Sequence, residues 1–300
     1  MTPRSAFVLP AAALVANAFI WGVAWWPFRE LQALGLHPLW STALVYGLVF
    51  CLLLTRSARL LGSFLRHPGL WALAIASGFT NVGFNWAVTV GDVVRVVLLF
   101  YLMPAWSVLV AWWLLGEKPT TGSLLRLALA MAGVLVVLKT PDSPWPVPSS
   151  LPDWLALAGG LSFAITNAYL RQLGGDAQAP SGARMLAMFG GGAVLAGAAA
   201  VLGMSQGIVS APAVAASGLW LVVALGLAFL TCNACLQYGA SRLPSSTTAL
   251  VMLTEILFAS GSAAVLGTAE FTPRIVWGGG LIVLAALLAA LARAPACAHS

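Results

Sequence analysis

Residues 217–241 read SGLWLVVALGLAFLTCNACLQYGAS, and this stretch decides the fold. It holds no Asp, Glu, Lys or Arg, and it exceeds the roughly 20 apolar residues a helix needs to cross hydrocarbon. A helix is the form a lone segment takes there, because it satisfies its own N–H and C=O groups where no water can. Nine further stretches of the same kind follow outward from it, at 6–27, 38–55, 68–90, 92–115, 121–139, 152–170, 181–203, 244–266 and 273–292. The whole chain agrees. It is 61% hydrophobic and 7% charged, with mean hydropathy +0.96, whereas a soluble domain carries about 25% charged residues. The expected fold is an all-α integral membrane protein of ten transmembrane helices.

Pro27, Pro38, Pro68, Pro119, Pro180, Pro244 and Pro273 punctuate the spans, as does the Gly91–Asp92 pair. The longest linker, 140–151, is proline-rich and reads as an extended spacer. With the N-terminus inside, Arg4, Arg56, Arg59, Arg66, Lys118, Arg126, Arg171, Arg184, Arg242 and Arg293 fall inside. Arg29, Arg95, Lys139 and Arg274 fall outside, which accounts for all 14 basic residues and satisfies the positive-inside rule. Both termini are therefore expected in the cytoplasm. The net charge of +6 is scattered over loop ends without a basic stripe, so nucleic acid is not an expected partner. The first span, with Asn17, Trp21, Trp25 and Trp26, reads as retained rather than as a cleaved signal. Cys232-x-x-Cys235 lies within a span with no second pair and no adjacent His, and reads as two small buried hydrophobes. No metal and no cofactor are expected.

The 217–241 stretch also carries Asn233-x-x-x-Gln237, and an earlier span carries Asn81-x-x-x-Asn85. The i,i+4 spacing puts each amide pair on one helix face. Arg29 then Pro38 is echoed by Arg171 then Pro180. Leu115-Gly116-Glu117-Lys118-Pro119-Thr120 is echoed by Gly267-Thr268-Ala269-Glu270-Phe271-Thr272-Pro273. The chain divides into a first five-helix repeat (1–139), a linker (140–151), a second five-helix repeat (152–292) and a tail (293–300). Five is odd, so the second copy enters the membrane upside down, the arrangement of secondary transporters with a midplane site.

These paired halves, the Leu115-Gly116-Glu117 signature with Pro104 upstream, and the acidic Glu255 before Glu270 resemble the drug/metabolite transporter superfamily, its ten-helix EamA-type members in particular. The second signature departs from the pattern, since Thr268 and Ala269 separate Gly267 from Glu270, and Leu102 stands where Glu255 stands in the other copy. The aromatic richness, with 13 Trp, 13 Phe and 4 Tyr, is most similar to YddG-type aromatic amino acid exporters. The resemblance implies a bacterial inner-membrane protein with cytoplasmic termini that exports small metabolites.

Among candidate site residues Glu255 is the sharpest. A carboxylate near the bilayer centre costs roughly 2.5–3.5 kcal/mol on insertion scales and needs a partner, a wet cavity or a proton. It reads either as a group that binds a substrate ammonium or exchanges a proton, or as a structural acid tying helices together. Asn81, Asn85, Asn233 and Gln237 read as cavity amides able to bond a zwitterion. Asn17 and Asn167 are balanced between cavity lining and helix–helix glue. Trp21, Phe100, Tyr101, Trp106 and Tyr238 lie deeper than the interfacial aromatics and are candidates for an apolar wall. Pro104 and Gly22 are hinge candidates. Asp92 and Arg95, at i,i+3, read as a cap and ion pair or as an outer mouth.

No His-Glu-x-x-His, phosphate loop or paired membrane aspartates are present, so an enzyme is not expected. The expectation is a monomeric secondary transporter exporting amino acids or similar amphiphilic metabolites, tolerant of aromatic side chains, working by alternating access in the lipid bilayer, with protons as a candidate coupling partner. The rival cargo is a lipophilic cationic drug; the rival of another class is a non-transporting membrane scaffold.

Overall fold

The computed structural model describes residues 5–57, 59–90, 96, 99–138, 148–212, 218–266 and 273–291. Among them are helices and turns and no strand. The helices are α1 (Ser5–Ala33), α2 (Pro38–Arg56), α3 (Arg59–Arg66), α4 (Pro68–Val90), α5 (Met103–Leu115), α6 (Thr121–Leu138), α7 (Leu151–Gln172), α8 (Ser181–Ser205), α9 (Leu219–Ala240), α10 (Ser245–Met252), α11 (Glu255–Val265) and α12 (Pro273–Leu291). Four of them, α1, α2, α8 and α9, are long and apolar enough to cross a membrane by length and composition.

Three departures from the expected spans have local causes. First, α1 runs through Pro27 and stops at Ala33. The stop signal is Gly35, at φ 92°. Its N–H reaches Gln32 O and the next N–H, of Leu36, reaches Leu31 O, a Schellman closure that favours glycine. Second, α3 is a short amphipathic helix where a plain loop was expected. Third, two expected spans are interrupted. Tyr101 and Leu102 form a turn before α5, and Leu253 and Thr254 form one between α10 and α11. Pro104 sits at the start of α5, where its missing N–H costs nothing, so it begins a helix rather than kinking one. In the second break the Thr254 hydroxyl bonds back to Val251 O at 2.8 Å, a local bond that competes with the helix ladder.

Sequence-distant helices interlock. α1 packs on α9 and α11, while α7 packs on α4 and α5. α2 packs on α8 and α9, α4 packs on α8, α5 packs on α10, and α6 packs on α12. Small residues set the close crossings, as expected where van der Waals fit drives helix association in lipid. A Cβ at Gly191 would lie 2.0 Å from Ala74 O, and one at Gly22 would lie 2.6 Å from the Phe258 Cβ.

The loops around 67, 117, 171–184 and 241–245 converge at one end of the bundle. There His67 Nε2 meets Asp176 Oδ2 at 2.9 Å, Arg171 donates to Ser241 O at 3.1 Å, and Arg171 Nε stands 3.9 Å from Glu117 Oε1. At the other end the Trp40 indole donates to Ser210 O at 3.1 Å.

Candidate functional site

The first amide pair shows how the site is built. On α4, Ser77, Thr80, Asn81, Phe84 and Asn85 share one face by helical spacing, and all five line a cavity of about 90 Å³ inside the bundle. The Asn81 amide donates to Ser77 O at 2.8 Å, and its carbonyl accepts from the Tyr46 hydroxyl at 3.0 Å. Asn85 donates to the Thr42 hydroxyl at 2.5 Å. These bonds fix the amides against α2 while leaving them on the cavity wall.

The second pair is turned differently. Asn233 lines the cavity and donates to the Met188 sulfur at 3.3 Å. Gln237 donates to Asn233 Oδ1 at 2.8 Å and accepts from Arg184 Nε at 3.0 Å. Gln237 is buried and is not among the lining residues. Arg184 also donates to Leu173 O and Ala179 O. Sequence reasoning gave Arg184 a topology role at a loop end. It is instead a buried cation held by one side-chain amide and two carbonyls, outside the cavity wall.

Glu255 lines the cavity. It is the first residue of α11, as Met103 is the first residue of α5. Met103 lines the cavity too, whereas Leu102 is not among the lining residues. Three features offset the cost of the acid. The helix break gives Glu255 a helix N-terminus, whose partial positive charge favours a carboxylate. The Tyr101 hydroxyl donates to it. The cavity has room for several water molecules.

The rest of the wall is apolar and aromatic. Trp21 stacks on Phe229 at 4.6 Å, and Tyr46 meets Phe189 at 5.0 Å. Opposite them Phe84 and Phe100 meet at 4.7 Å, with Phe163 beyond Phe100 at 6.2 Å. Thr166, Met188, Cys232, Leu236 and Met252 complete the lining. Sequence reasoning did not single out Ser77, Thr80 and Phe84, although their i−4, i−1 and i+3 spacing from Asn81 was the available signal. Tyr46, Phe163, Met188 and Phe229 carried no such marker.

The remaining candidates divide. Asn17 is fully buried, lines the cavity, and donates to both Cys232 O and Cys232 Sγ at 2.8 Å. Asn167 is fully buried off the cavity wall, and among the described residues neither its Nδ2 nor its Oδ1 has a hydrogen-bond partner. Tyr101 is buried behind the wall, reaching Glu255 through its hydroxyl. Trp106 packs with Val110, Ala164 and Ala168 between α5 and α7, away from the lining. Tyr238 stands at the rim of the bundle under Arg242, whose Cζ lies 4.1 Å from the ring centroid. Gly22 sits at the crossing of α1 with α11, where Glu255 O would be 2.9 Å from an added Cβ. Asp92, Arg95 and the second signature, 267–273, lie outside the described residues except for Pro273, which opens α12. Among the described residues no group of His, Cys, Asp or Glu could hold a metal ion.

The Leu115-Gly116-Glu117 signature has a geometric meaning. Gly116 ends α5 in the left-handed conformation, at φ 69°, which costs glycine no Cβ clash. The turn delivers Glu117 towards Arg171 and the Ser245 N–H. Burial pushes the Glu117 carboxyl above the usual carboxylate range, against the opposing pull of Arg171 and Ser245.

Residues 9–139 match the model of the EamA-like transporter family. No curated protein matches by sequence. One solved crystal structure aligns with a TM-score of 0.75, over 95% of this chain and 96% of that chain, at 18% identity. At that identity the likeness shows a shared fold. The apolar helices and the family match make this a multi-pass membrane protein whose first part carries a transporter family's pattern.

Proposed function

We propose that the chain is a secondary transporter that exports amino acids or similar small amphiphilic metabolites by alternating access between two inverted five-helix halves, 1–139 and 152–292. The carrying observation is the composition of the cavity wall, which among the described residues holds one carboxylate, Glu255, several amides and hydroxyls, no Lys or Arg, and two aromatic clusters. Such a wall suits an ammonium-bearing cargo with an apolar side chain, and it disfavours anions, which would call for cationic partners.

The inverted repeat draws support from the lining itself. The sequence interval from Asn81 to Asn233 also carries Ser77 to Phe229, Thr80 to Cys232, Phe84 to Leu236, Phe100 to Met252 and Met103 to Glu255, all of which line the cavity. The interval from Pro38 to Pro180 carries Trp21 to Phe163 and Tyr46 to Met188, again lining residues. Helix contacts follow the same exchange, with α1 on α9 mirrored by α7 on α4. On this reading the end where the loops at 67, 117 and 171–184 converge is cytoplasmic, the termini lie on the same side, and the membrane is the bacterial inner membrane.

In the mechanism Glu255 meets the ammonium and Tyr101 orients its carboxyl. Asn81, Asn85 and Asn233 bond the remaining polar atoms, and Trp21 and Phe100 flank the side chain. The test is counterflow in proteoliposomes across amino acids, sugars and lipophilic cations, with and without a pH gradient. Glu255→Gln should cut transport roughly tenfold or more, the worth of a lost charge-assisted bond, with fold and yield intact; unaltered transport would remove Glu255 from the mechanism. A lipophilic cation as cargo is the second reading, favoured by an acid, Glu255, set among aromatic rings.

A further inference from the structure

The short helix α3 carries a site that the transport reading does not use. Arg59, Gly62, Ser63 and Arg66 recur at i, i+3, i+4 and i+7, so they form one polar face. The opposite face turns Leu60, Leu61 and Phe64 into the core. The helix therefore lies as an amphipathic element between the end of α2 at Arg56 and the start of α4 at Pro68, at the end of the bundle where the basic loops gather. Its polar face, with His67 and Gln178, walls a pocket of about 470 Å³. Gly62 keeps the middle of that wall open: a Cβ there would meet nothing within 4 Å.

The charge on the wall is unbalanced. His67 is engaged with Asp176 at 2.9 Å. Among the described residues no carboxylate pairs with Arg59 or Arg66. Two free guanidinium groups, a hydroxyl, a side-chain amide and an open backbone make a set of donors for a tetrahedral oxyanion, since guanidinium forks match phosphate oxygens two at a time. A volume of this order holds a small ligand. An amphipathic helix beside the ends of two spans sits at headgroup level, where basic pockets collect anionic lipid.

We propose that this pocket binds a phosphate ester, supplied by the headgroup of an anionic phospholipid in the leaflet on that side. Arg59 and Arg66 clamp the phosphate oxygens across the gap left by Gly62, and Ser63 and Gln178 bond the remaining atoms. The site is independent of the cargo cavity, so its test needs no transport. The protein in neutral detergent is titrated with phosphatidylglycerol, phosphatidylcholine or inorganic phosphate while its thermal midpoint is followed. Phosphatidylglycerol should raise the midpoint and phosphatidylcholine should not; an equal rise with inorganic phosphate keeps the same chemistry and makes the free anion the source. Arg59→Gln with Arg66→Gln should weaken the effect roughly tenfold or more, while Arg56→Gln, on the same end but outside the pocket, should keep it. If the double variant does not accumulate, Gly62→Leu fills the gap with every charge in place and must abolish the shift. Equal shifts with both lipids overturn the proposal. So does a wild type that responds to neither phosphatidylglycerol nor phosphate. Loss of the effect in Arg56→Gln to the same degree overturns it too, by making the effect one of diffuse charge.

Discussion

The helices α4 and α9 each carry an amide pair at i,i+4 spacing, Asn81 with Asn85 and Asn233 with Gln237, yet use it differently. On α4 both amides face the cavity, tied to Tyr46, Ser77 and Thr42. On α9 only Asn233 does, because Gln237 is drawn away to hold Arg184. The two helix starts that line the cavity differ as well, α5 opening on Met103 and α11 on Glu255. Similar amide spacing thus carries unequal chemistry. The α4 pair offers neutral hydrogen bonds to the cavity, and the α9 pair divides between the cavity and a buried cation.

The packing of the two helices gives the largest expected contrast. α4 crosses α8 at Gly191, where a Cβ would sit 2.0 Å from Ala74 O; α9 crosses α2 at Gly226, where the nearest atoms, on Leu48 and Val49, are 3.4 Å away. Gly191→Ala should therefore lose most folded protein in a detergent extraction assay, and Gly226→Ala should cost little. Equal yields would mean that the two crossings are not differently tight.

Glu255→Gln comes next, with the tenfold or greater fall in transport given above, and Met103→Leu sharpens it by staying within about twofold, as a volume-conserving swap. The amides then separate function from stability. Asn81→Leu should lower transport several-fold at normal yield. Gln237→Leu strips Arg184 Nε of its side-chain acceptor, leaves a buried cation under-bonded at about 1–3 kcal/mol, and should appear first as a lower thermal midpoint. Tyr101→Phe removes the donor to Glu255 and should cost roughly three- to tenfold in transport. A Tyr101→Phe effect as large as that of Glu255→Gln would make the pair, and not the acid, the functional unit.

The smallest effect lies at the loop end. Backbone donation from the Gln178 N–H, and then the bond from His67, hold the Asp176 carboxyl below its ordinary range. A depressed carboxylate adds stability that is present above its unfolded pKa and is lost as pH falls through the folded one. Asp176→Asn should therefore lower the midpoint slightly at neutral pH, and the difference should close in acid below the ordinary aspartate value of 3.8.

The apolar runs made the helical membrane class legible, because length and charge depletion are properties of single segments. The helix interruptions were not legible. Nothing in Tyr101-Leu102 or Leu253-Thr254 marks a turn, since the signal is a backbone register set by packing and a Thr254 back-bond. Pro27 misled in the other direction, because a proline inside α1 was outweighed by the interface that continues to Gly35. Glu255 and the Asn81–Asn85 face were findable, since polar atoms in a span are costly and therefore conspicuous. Tyr46, Phe163 and Phe229 were not, because an aromatic that lines a cavity and one that packs against lipid look alike in one dimension. Tyr238 and Trp106 show the converse, deep in sequence position yet outside the lining.

The way α1 docks on α9 bears on how the protein is made. The Asn17 amide finds its partner, Cys232, 215 residues downstream, so α1 must enter the bilayer and wait while most of the chain is still being synthesised. Contacts that distant in sequence slow folding. Until then the Asn17 amide lacks the acceptor it has in the folded protein, and truncated nascent chains ending before α9 should be cleared by membrane proteases faster than chains that include it.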